Sequence, residues 1–279
     1  MPMITHWLRR FFGREKPVIP DTLWRSAVSD LPFLERLSDE DLARLKEACE
    51  TFLHRKSVSG AAGLDISDEI AVAIAIQACL LVLNLTLDLY DDMPGVIVYP
   101  SEFIVPRSEV DEAGVVHEWE EPLAGEALDA GGAVVLSWED VEQGDALGEG
   151  YNVVIHEFAH KIDMGRGAAN GCPPFLPAFH RDISPREWQH VFSEAYADFS
   201  RRVDHLERQA ARAVRASRSE SWANELPLDP YAASNPAEFF AVASEAFFLT
   251  PEYLAEDYPD VYRLLACYYR QETLSLDGA

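Results

Sequence analysis

His156-Glu157-Phe158-Ala159-His160 is the stretch that most strongly indicates the fold and the functional site of this chain. In a helix with about 3.6 residues per turn, side chains four residues apart project from one face, so the two imidazoles can share a metal ion. Glu157 lies about 100° round the helix from His156, beside the expected position of the ion. The pattern therefore predicts a helix that holds a zinc ion next to a carboxylate base.

The same five residues match HExxH, a motif of zinc-dependent peptidases. Zinc lowers the pKa of its bound water to about 7, and a neighbouring glutamate can accept the proton of that water and deliver it to a leaving amine. Peptide hydrolysis is therefore the reaction that the motif predicts.

The chain of 279 residues is strongly acidic, with 48 acidic and 23 basic side chains and a formal net charge of −25. This charge disfavours direct binding to nucleic acid or to an anionic membrane, because both need a basic surface. It suits either a basic partner or a solvated surface that only keeps the protein soluble. The longest apolar stretch, residues 70–87, is interrupted by Gln77 and Asn84, which favours a buried helix over a membrane span.

Cysteine usage and the N-terminal residues indicate a cytoplasmic location. The four cysteines are scattered and form no CxxC pair, which is typical of reduced thiols. The apolar run at residues 7–12 is too short for a secretory signal and lacks a small-residue cleavage site. Residues 1–20, with Pro17 and Pro20 near their end, are expected to form a flexible N-terminal arm, and residues 21–279 a single domain.

Hydrophobic periodicity predicts an α+β fold that is mainly helical, with a small mixed sheet preceding the HExxH helix. Helices are predicted after Ser38, over residues 68–87, over residues 151–164 with Gly165 as the C-terminal cap, and from Ser184-Pro185 to about residue 218. Strands are predicted at residues 96–99, 103–105, 114–119 and 133–138.

A catalytic zinc site usually takes three protein ligands, so one more must come from outside the motif. A third histidine six residues after His160 is excluded, because that position holds Arg166. Downstream, Asn235 can cap a helix that starts at Pro236 and presents Glu238 and, two turns later, Glu245 on roughly one face. A carboxylate from this helix, Glu238 by preference and Glu245 in reserve, would complete a His, His, Glu set of the gluzincin type. The nearby Tyr231 could donate a hydrogen bond to the oxyanion of a tetrahedral intermediate.

Each of these residues also has a purely structural interpretation. Glu238 sits where a capping-box glutamate would bond the Asn235 amide, and Glu245 could be paired with a buried partner beside the site. Asp163 either orients a side chain near the metal or faces solvent. Three further histidines, His180, His190 and His205, are expected to be surface or packing residues, and His117 is left without a role.

The stretch from His156 to Met164, taken with the stretch from Tyr231 to Phe240, resembles the Mlc titration factor A family of bacterial zinc-dependent peptidases. The resemblance covers about residues 24–268 and implies a zincin-like metallopeptidase domain, similar in its catalytic region to anthrax lethal factor. It implies Zn²⁺ as cofactor, His156, His160 and Glu238 as metal ligands, Glu157 as catalytic base and Tyr231 as oxyanion stabiliser.

Two functional hypotheses follow from this resemblance. The leading one is a zinc metallopeptidase with aminopeptidase-like activity on peptides and, as in the family, an Mlc-like transcriptional repressor of sugar uptake as a partner. The strand at residues 133–138 is expected to pair with an extended substrate. The alternative is a regulatory binding protein that sequesters a transcription factor and has little peptidase activity. A structural zinc site is disfavoured, because it would normally use four protein ligands and gives no reason for Glu157.

Overall fold

A computed structural model describes residues 16–110, 116–123, 125–127, 131–144, 150–215 and 226–274; for residues 103–110, 116–123 and 212–215, and at Arg166, it describes the backbone alone. The helices are α1 (Asp21–Ser29), α2 (Asp39–Arg55), α3 (Asp68–Leu81), α4 (Trp138–Gln143), α5 (Val153–Asp163), α6 (Pro185–Arg215), α7 (Pro236–Leu249), α8 (Pro251–Asp257) and α9 (Pro259–Tyr269). The strands are β1 (Ser57–Gly60), β2 (Gly95–Tyr99), β3 (Phe103–Val110), β4 (Val116–Leu123), β5 (Gly125–Ala127) and β6 (Val134–Ser137).

Four of the strands form a small mixed sheet in the order β1-β2-β6-β5. β1, β2 and β6 run parallel, whereas β5 runs antiparallel to β6. All four residues of β6 are buried, as expected for a strand with neighbours on both sides. The expected mixed sheet before the motif helix is therefore present, in a fold that combines helices and strands and is mainly helical.

β3 and β4 form a separate antiparallel hairpin, in which Phe103 is opposite Leu123 and Val110 is opposite Val116. The sequence pattern predicts both strands but makes them too short, because their polar and proline residues obscure the alternation. β1 and β5 were not predicted, because neither Ser57–Gly60 nor Gly125–Ala127 carries an apolar alternation.

The core is centred on α5, which packs against both α3 and α7. Every residue of α5 is buried, including Lys161 and Asp163. α7 is buried from Phe239 to Phe248, and apart from Ser244 and Glu245 these residues are apolar, as expected for a helix enclosed in a core. The buried helix predicted over residues 68–87 ends earlier, at Leu81. Within the described residues, no helix has the length and apolar character needed to cross a membrane.

Phe158, inside the motif, anchors α5 in the core. Its ring lies 5.1 Å from that of Tyr90 and 5.9 Å from that of Phe52, both in edge-to-face geometry. Such pairs contribute about 0.5–1.5 kcal/mol each beyond the burial of their area. Because Phe158 lies two residues from each histidine, its anchorage turns His156 and His160 towards the opposite side of the helix, where α7 lies.

Candidate metal centre

Asn152 starts the motif helix. Its backbone is extended, with φ −155° and ψ 103°, and its side-chain oxygen accepts the N–H of Ile155 at 2.9 Å. A capping asparagine satisfies a backbone donor that the first turn leaves without a helical partner. The helix therefore begins at Val153, two residues after the predicted start. It ends at Asp163, followed by a 3-10 turn over Met164–Arg166, so the predicted cap at Gly165 is wrong and Gly167, with φ 138°, ends the turn.

α7 supplies the carboxylate that faces the motif. Asn235 accepts the N–H groups of Ala237 and Glu238, and Pro236 occupies the first helical position, as the sequence predicts. Glu238 thus lies in the first turn, where the helix dipole favours a negative charge. Its carboxylate points to the histidines of α5.

His156, His160 and Glu238 bring three ligand atoms together. His156 Nε2 lies 3.1 Å from His160 Nε2, and Glu238 Oε2 lies 3.1 Å and 3.0 Å from these two nitrogens. Metal–ligand bonds of about 2.0–2.1 Å at tetrahedral angles separate neighbouring ligand atoms by about 3.3 Å, slightly more than observed. The donor set and its spacing therefore fit a zinc-sized cation. Among the described residues, this trio is the group of histidine, cysteine and carboxylate side chains that could hold a metal ion.

Glu245 contacts the other nitrogen of the same imidazole. Its Oε1 lies 2.7 Å from His156 Nδ1, and its Oε2 accepts the backbone N–H of Asn152. A carboxylate at Nδ1 makes that nitrogen the donor and leaves the Nε2 lone pair free for a metal. Burial raises the pKa of Glu245, whereas His156 and the Asn152 amide oppose that rise.

The pKa of Glu238 is shifted in the opposite direction to that of Glu245. Burial raises the pKa of this carboxyl, but its contacts with His156 and His160 outweigh burial and lower the pKa to about 2. The carboxylate is therefore ionised at neutral pH, which is the form that can bind a cation.

Glu157 lies in a cleft of about 550 Å³ beside the trio. It is 6% exposed, and burial raises the pKa of its carboxyl. The nearby histidines and the backbone N–H of Ala127 oppose this rise. A raised pKa suits a carboxylate that must exchange protons near neutral pH. Gly125 lies against it: a Cβ at this position would be 2.7 Å from both Cγ and Oε1 of Glu157.

Tyr231 lines the same cleft. It lies in a 3-10 turn over Pro230–Ala233. Asp229 caps this turn, because its Oδ1 accepts the backbone N–H of Tyr231 at 2.7 Å. Its side chain is 51% exposed, and its ring centroid is 6.1 Å from that of His156. The phenol is therefore at the mouth of the site, where a substrate could meet it.

The remaining candidates are outside the trio. Asp163 is buried, and its Oδ2 accepts the N–H groups of Asn170 and Gly171, so it organises the loop after α5 and does not face solvent. His180 is buried against Tyr268, with ring centroids 4.4 Å apart, and is a packing residue as expected. His190 and His205 lie on exposed positions of α6. The side chain of His117 lies outside the described residues.

Sequence reasoning missed two backbone contributions to the site, those of Gly125 and Ala127. Both come from β5, whose three residues give no strand signal. Asn152 was also missed as the cap, although an asparagine three residues before Ile155 is a recognised helix start.

The donor set and the buried glutamate beside it are those of a metallopeptidase. Comparison with known proteins agrees: residues 4–270 match the family described as glucose-regulated metallo-peptidase M90. The chain belongs to this family of metallopeptidases.

Curated relatives cover nearly the whole chain. An uncharacterized protein of Synechocystis sp. is 33% identical over 276 residues, which cover 96% of this chain and 91% of the relative. Mlc titration factor A of Pectobacterium atrosepticum is 35% identical over 253 residues, or 90% of this chain and 87% of the relative. The protein of the same name from Salmonella arizonae is 32% identical over 252 residues, covering 90% and 92%. The resemblance to the Mlc titration factor A family is thus confirmed.

Proposed function

We propose that this metallopeptidase binds zinc through His156, His160 and Glu238 and hydrolyses peptides with Glu157 as its base. The observation that carries the proposal is the convergence of the three ligand atoms at 3.0–3.1 Å, with a buried carboxylate in the same cleft. A zinc ion in this position would supply a Lewis acid and lower the pKa of a coordinated water to about 7. Zinc is preferred because two imidazoles and one carboxylate are a common catalytic set for that ion.

The side chains around the cleft would then divide the remaining work. Glu157, held by the Ala127 amide, would accept a proton from the attacking water and deliver it to the leaving amine. Tyr231 would donate a hydrogen bond to the oxyanion that forms on the substrate carbonyl. The proposed substrates are short peptides, cleaved in an aminopeptidase-like way. The proposed location of the protein is the cytoplasm.

β5 is the proposed partner for the substrate backbone. The sequence predicts this role for residues 133–138, but that prediction is wrong, because β6 is hydrogen-bonded to β2 on one side and to β5 on the other. β5 is at the end of the four-stranded sheet, and all three of its residues line the cleft. An extended peptide could add to this edge with its carbonyl near Glu157.

Glu157→Gln tests the proton-transfer step. The amide keeps the size of the side chain and removes its basic oxygen, so we expect peptide hydrolysis to fall by about 10²- to 10⁴-fold. Zinc content and the melting temperature should stay near those of the wild type. Full hydrolytic activity in the folded, zinc-loaded variant would contradict the proposed role.

A regulatory role is the second candidate, and the name of the relatives, Mlc titration factor A, favours it. In this case the protein would bind an Mlc-like transcriptional repressor and leave hydrolysis incidental. Glu157→Gln also separates the two functions, because partner binding should survive the substitution. A pull-down with purified repressor that loses the partner only in the variant would count against independent binding.

A further inference from the structure

Gln77 is a polar residue in the most deeply buried part of the fold. It is 2% exposed on α3, and the other buried residues of that helix are apolar. An unpaired amide in such a place would be destabilising, so the hydrogen-bond partners of Gln77 are informative. Gln77 Nε2 donates to the carbonyl of Ala73, four residues earlier, at 3.1 Å, and its Oε1 accepts Asn152 Nδ2 at 2.6 Å.

Asn152 uses its polar groups in three directions. Its Nδ2 reaches Gln77, its Oδ1 caps α5 at Ile155, and its backbone N–H donates to Glu245 Oε2. Glu245 then contacts His156 Nδ1 at 2.7 Å. A continuous chain of hydrogen bonds therefore runs from α3, through the cap of the motif helix and α7, to one imidazole of the metal centre.

We propose that Gln77 and Asn152 are positioning residues of this metal centre, an inference that rests on the proposed function. Gln77 Oε1 can only accept, so it fixes which edge of the Asn152 amide faces α3 and leaves Oδ1 for the cap. This holds the Asn152 backbone N–H on Glu245, which in turn holds the imidazole of His156 with its Nε2 towards Glu238. Partners behind a ligating histidine commonly change metal affinity by about 10- to 100-fold.

Gln77→Met tests the inference, because methionine has a similar length and cannot accept the Asn152 N–H. In the full-length protein, competition with a chromophoric chelator should show zinc affinity lowered by about 3- to 10-fold, less than for a direct partner. The visible absorption of the cobalt(II)-substituted protein should shift as well. Asn152→Ser, which keeps a capping oxygen but lacks the Nδ2 donor, should reproduce both changes.

Ser244→Ala is the matched control. Ser244 is fully buried on α7, accepts the hydroxyl of Tyr269 at 2.8 Å and donates to the carbonyl of Phe240. Its loss should lower the melting temperature and leave zinc affinity and the cobalt spectrum unchanged. A merely structural role for Gln77 would make Gln77→Met behave in the same way, which would overturn the inference.

A double-mutant cycle tests whether Gln77 acts on zinc affinity through Asn152. In the Asn152→Ser background, Gln77→Met should cause no further loss of zinc affinity, because the bond between the two side chains is already absent. Independent, additive losses of zinc affinity would contradict an action of Gln77 through Asn152. If the wild-type protein binds no zinc, the proposed function fails together with the inference. If the wild type binds zinc and Gln77→Met binds it equally well, only the inference fails.

Discussion

Glu238 and Glu245 contact opposite nitrogens of the same imidazole. They lie about two turns apart on α7, and Glu238 reaches Nε2 of His156 while Glu245 reaches Nδ1. The first-turn position leaves Glu238 beside the cleft, whereas Glu245 is 2% exposed. Two like residues on one helix therefore serve different purposes: one carboxylate is available to a cation, and the other fixes the histidine that binds it.

Gly125→Ala should impair catalysis without removing the metal. The added Cβ would lie 2.7 Å from Glu157 and from Val153 Cγ2, so either the carboxylate or β5 must move. A displacement of about 1 Å can cost on the order of 10²-fold in rate. We expect kcat for peptide hydrolysis to fall by about 10- to 100-fold while zinc content stays unchanged.

Gly131→Ala is the control for this substitution, because a Cβ there would meet no atom of the described residues within 4 Å. It should keep wild-type kcat. A Gly125→Ala protein with wild-type kcat would show that the fit of β5 against Glu157 has no role in the reaction.

For the single residues of the site, helical spacing alone predicts that His156 and His160 share a face and that Glu157 lies beside them. The choice between Glu238 and Glu245 could not be made from spacing, because both lie on one face of α7 and only the packing of α7 on α5 decides which nitrogen each one meets. The approach of Gly125 to Glu157 is a contact between a strand and a helix far apart in sequence, and no local pattern encodes it.

At the scale of elements, the edge of the sheet decides where a substrate can pair. β6 has the apolar run of a strand and was therefore the natural candidate, but a run of this kind is typical of a strand with neighbours on both sides. β5 has only three residues and becomes a strand through its pairing with β6. Tertiary pairing thus overrides local propensity here. The long helix α6 shows the opposite case: Ser184, Pro185 and Glu187 predict its start, and Ser184 indeed caps it.

His180 ties the loop before α6 to α9, and it does so in the neutral form. Its Nδ1 accepts the N–H of Leu176, and its Nε2 donates to the carbonyl of Tyr268. Burial lowers the pKa of His180; the hydrogen bond to the Tyr268 carbonyl opposes this effect, and the charge of Arg270 adds to it. The unfolded chain therefore binds a proton more readily than the folded one, and the free energy of unfolding falls as pH drops through about 6.5.

We expect His180→Gln to weaken this pH dependence. Urea unfolding at about pH 7.5 and about pH 5.5 should show a smaller loss of stability in the variant than in the wild type, because the titrating group is gone. His190→Gln is the control, since the His190 side chain is 68% exposed. An equal loss in wild type and His180→Gln would contradict the neutral, packed state of His180.

At the scale of the whole molecule, the negative charge extends into the cleft. Glu126, Glu157 and Glu238 line it, and none of its described lining residues is a lysine or an arginine. The net charge of −25 adds a field of the same sign. A bound zinc ion would offset two of these three charges and leave the cleft negative, so acidic peptides should be the poorer substrates.

Paired substrates that differ only in glutamate or glutamine next to the scissile bond test this expectation. The glutamine peptide should have the higher kcat/KM, by about 10-fold or more at low salt. Added salt should narrow the difference, since charges near the surface are screened over about 10 Å at 0.1 M. Equal kcat/KM values at low salt would contradict an electrostatic selection.

The overall architecture was predictable only in outline. Composition and periodicity give a mainly helical fold with a small mixed sheet before the motif helix, and these features are present. The order of the strands and the separate β3-β4 hairpin depend on contacts between distant segments, which periodicity does not contain. The division into an arm at residues 1–20 and one domain at residues 21–279 remains a prediction.

Anomalous diffraction at the zinc absorption edge, measured on crystals of the zinc-loaded full-length protein, tests whether His156, His160 and Glu238 bind the ion. We expect one strong anomalous peak at about 2.0–2.2 Å from His156 Nε2, His160 Nε2 and a carboxylate oxygen of Glu238. Glu245 should remain on His156 Nδ1 and outside the coordination sphere. A stoichiometric zinc ion at another position, or one bound by Glu245 in place of Glu238, would contradict it.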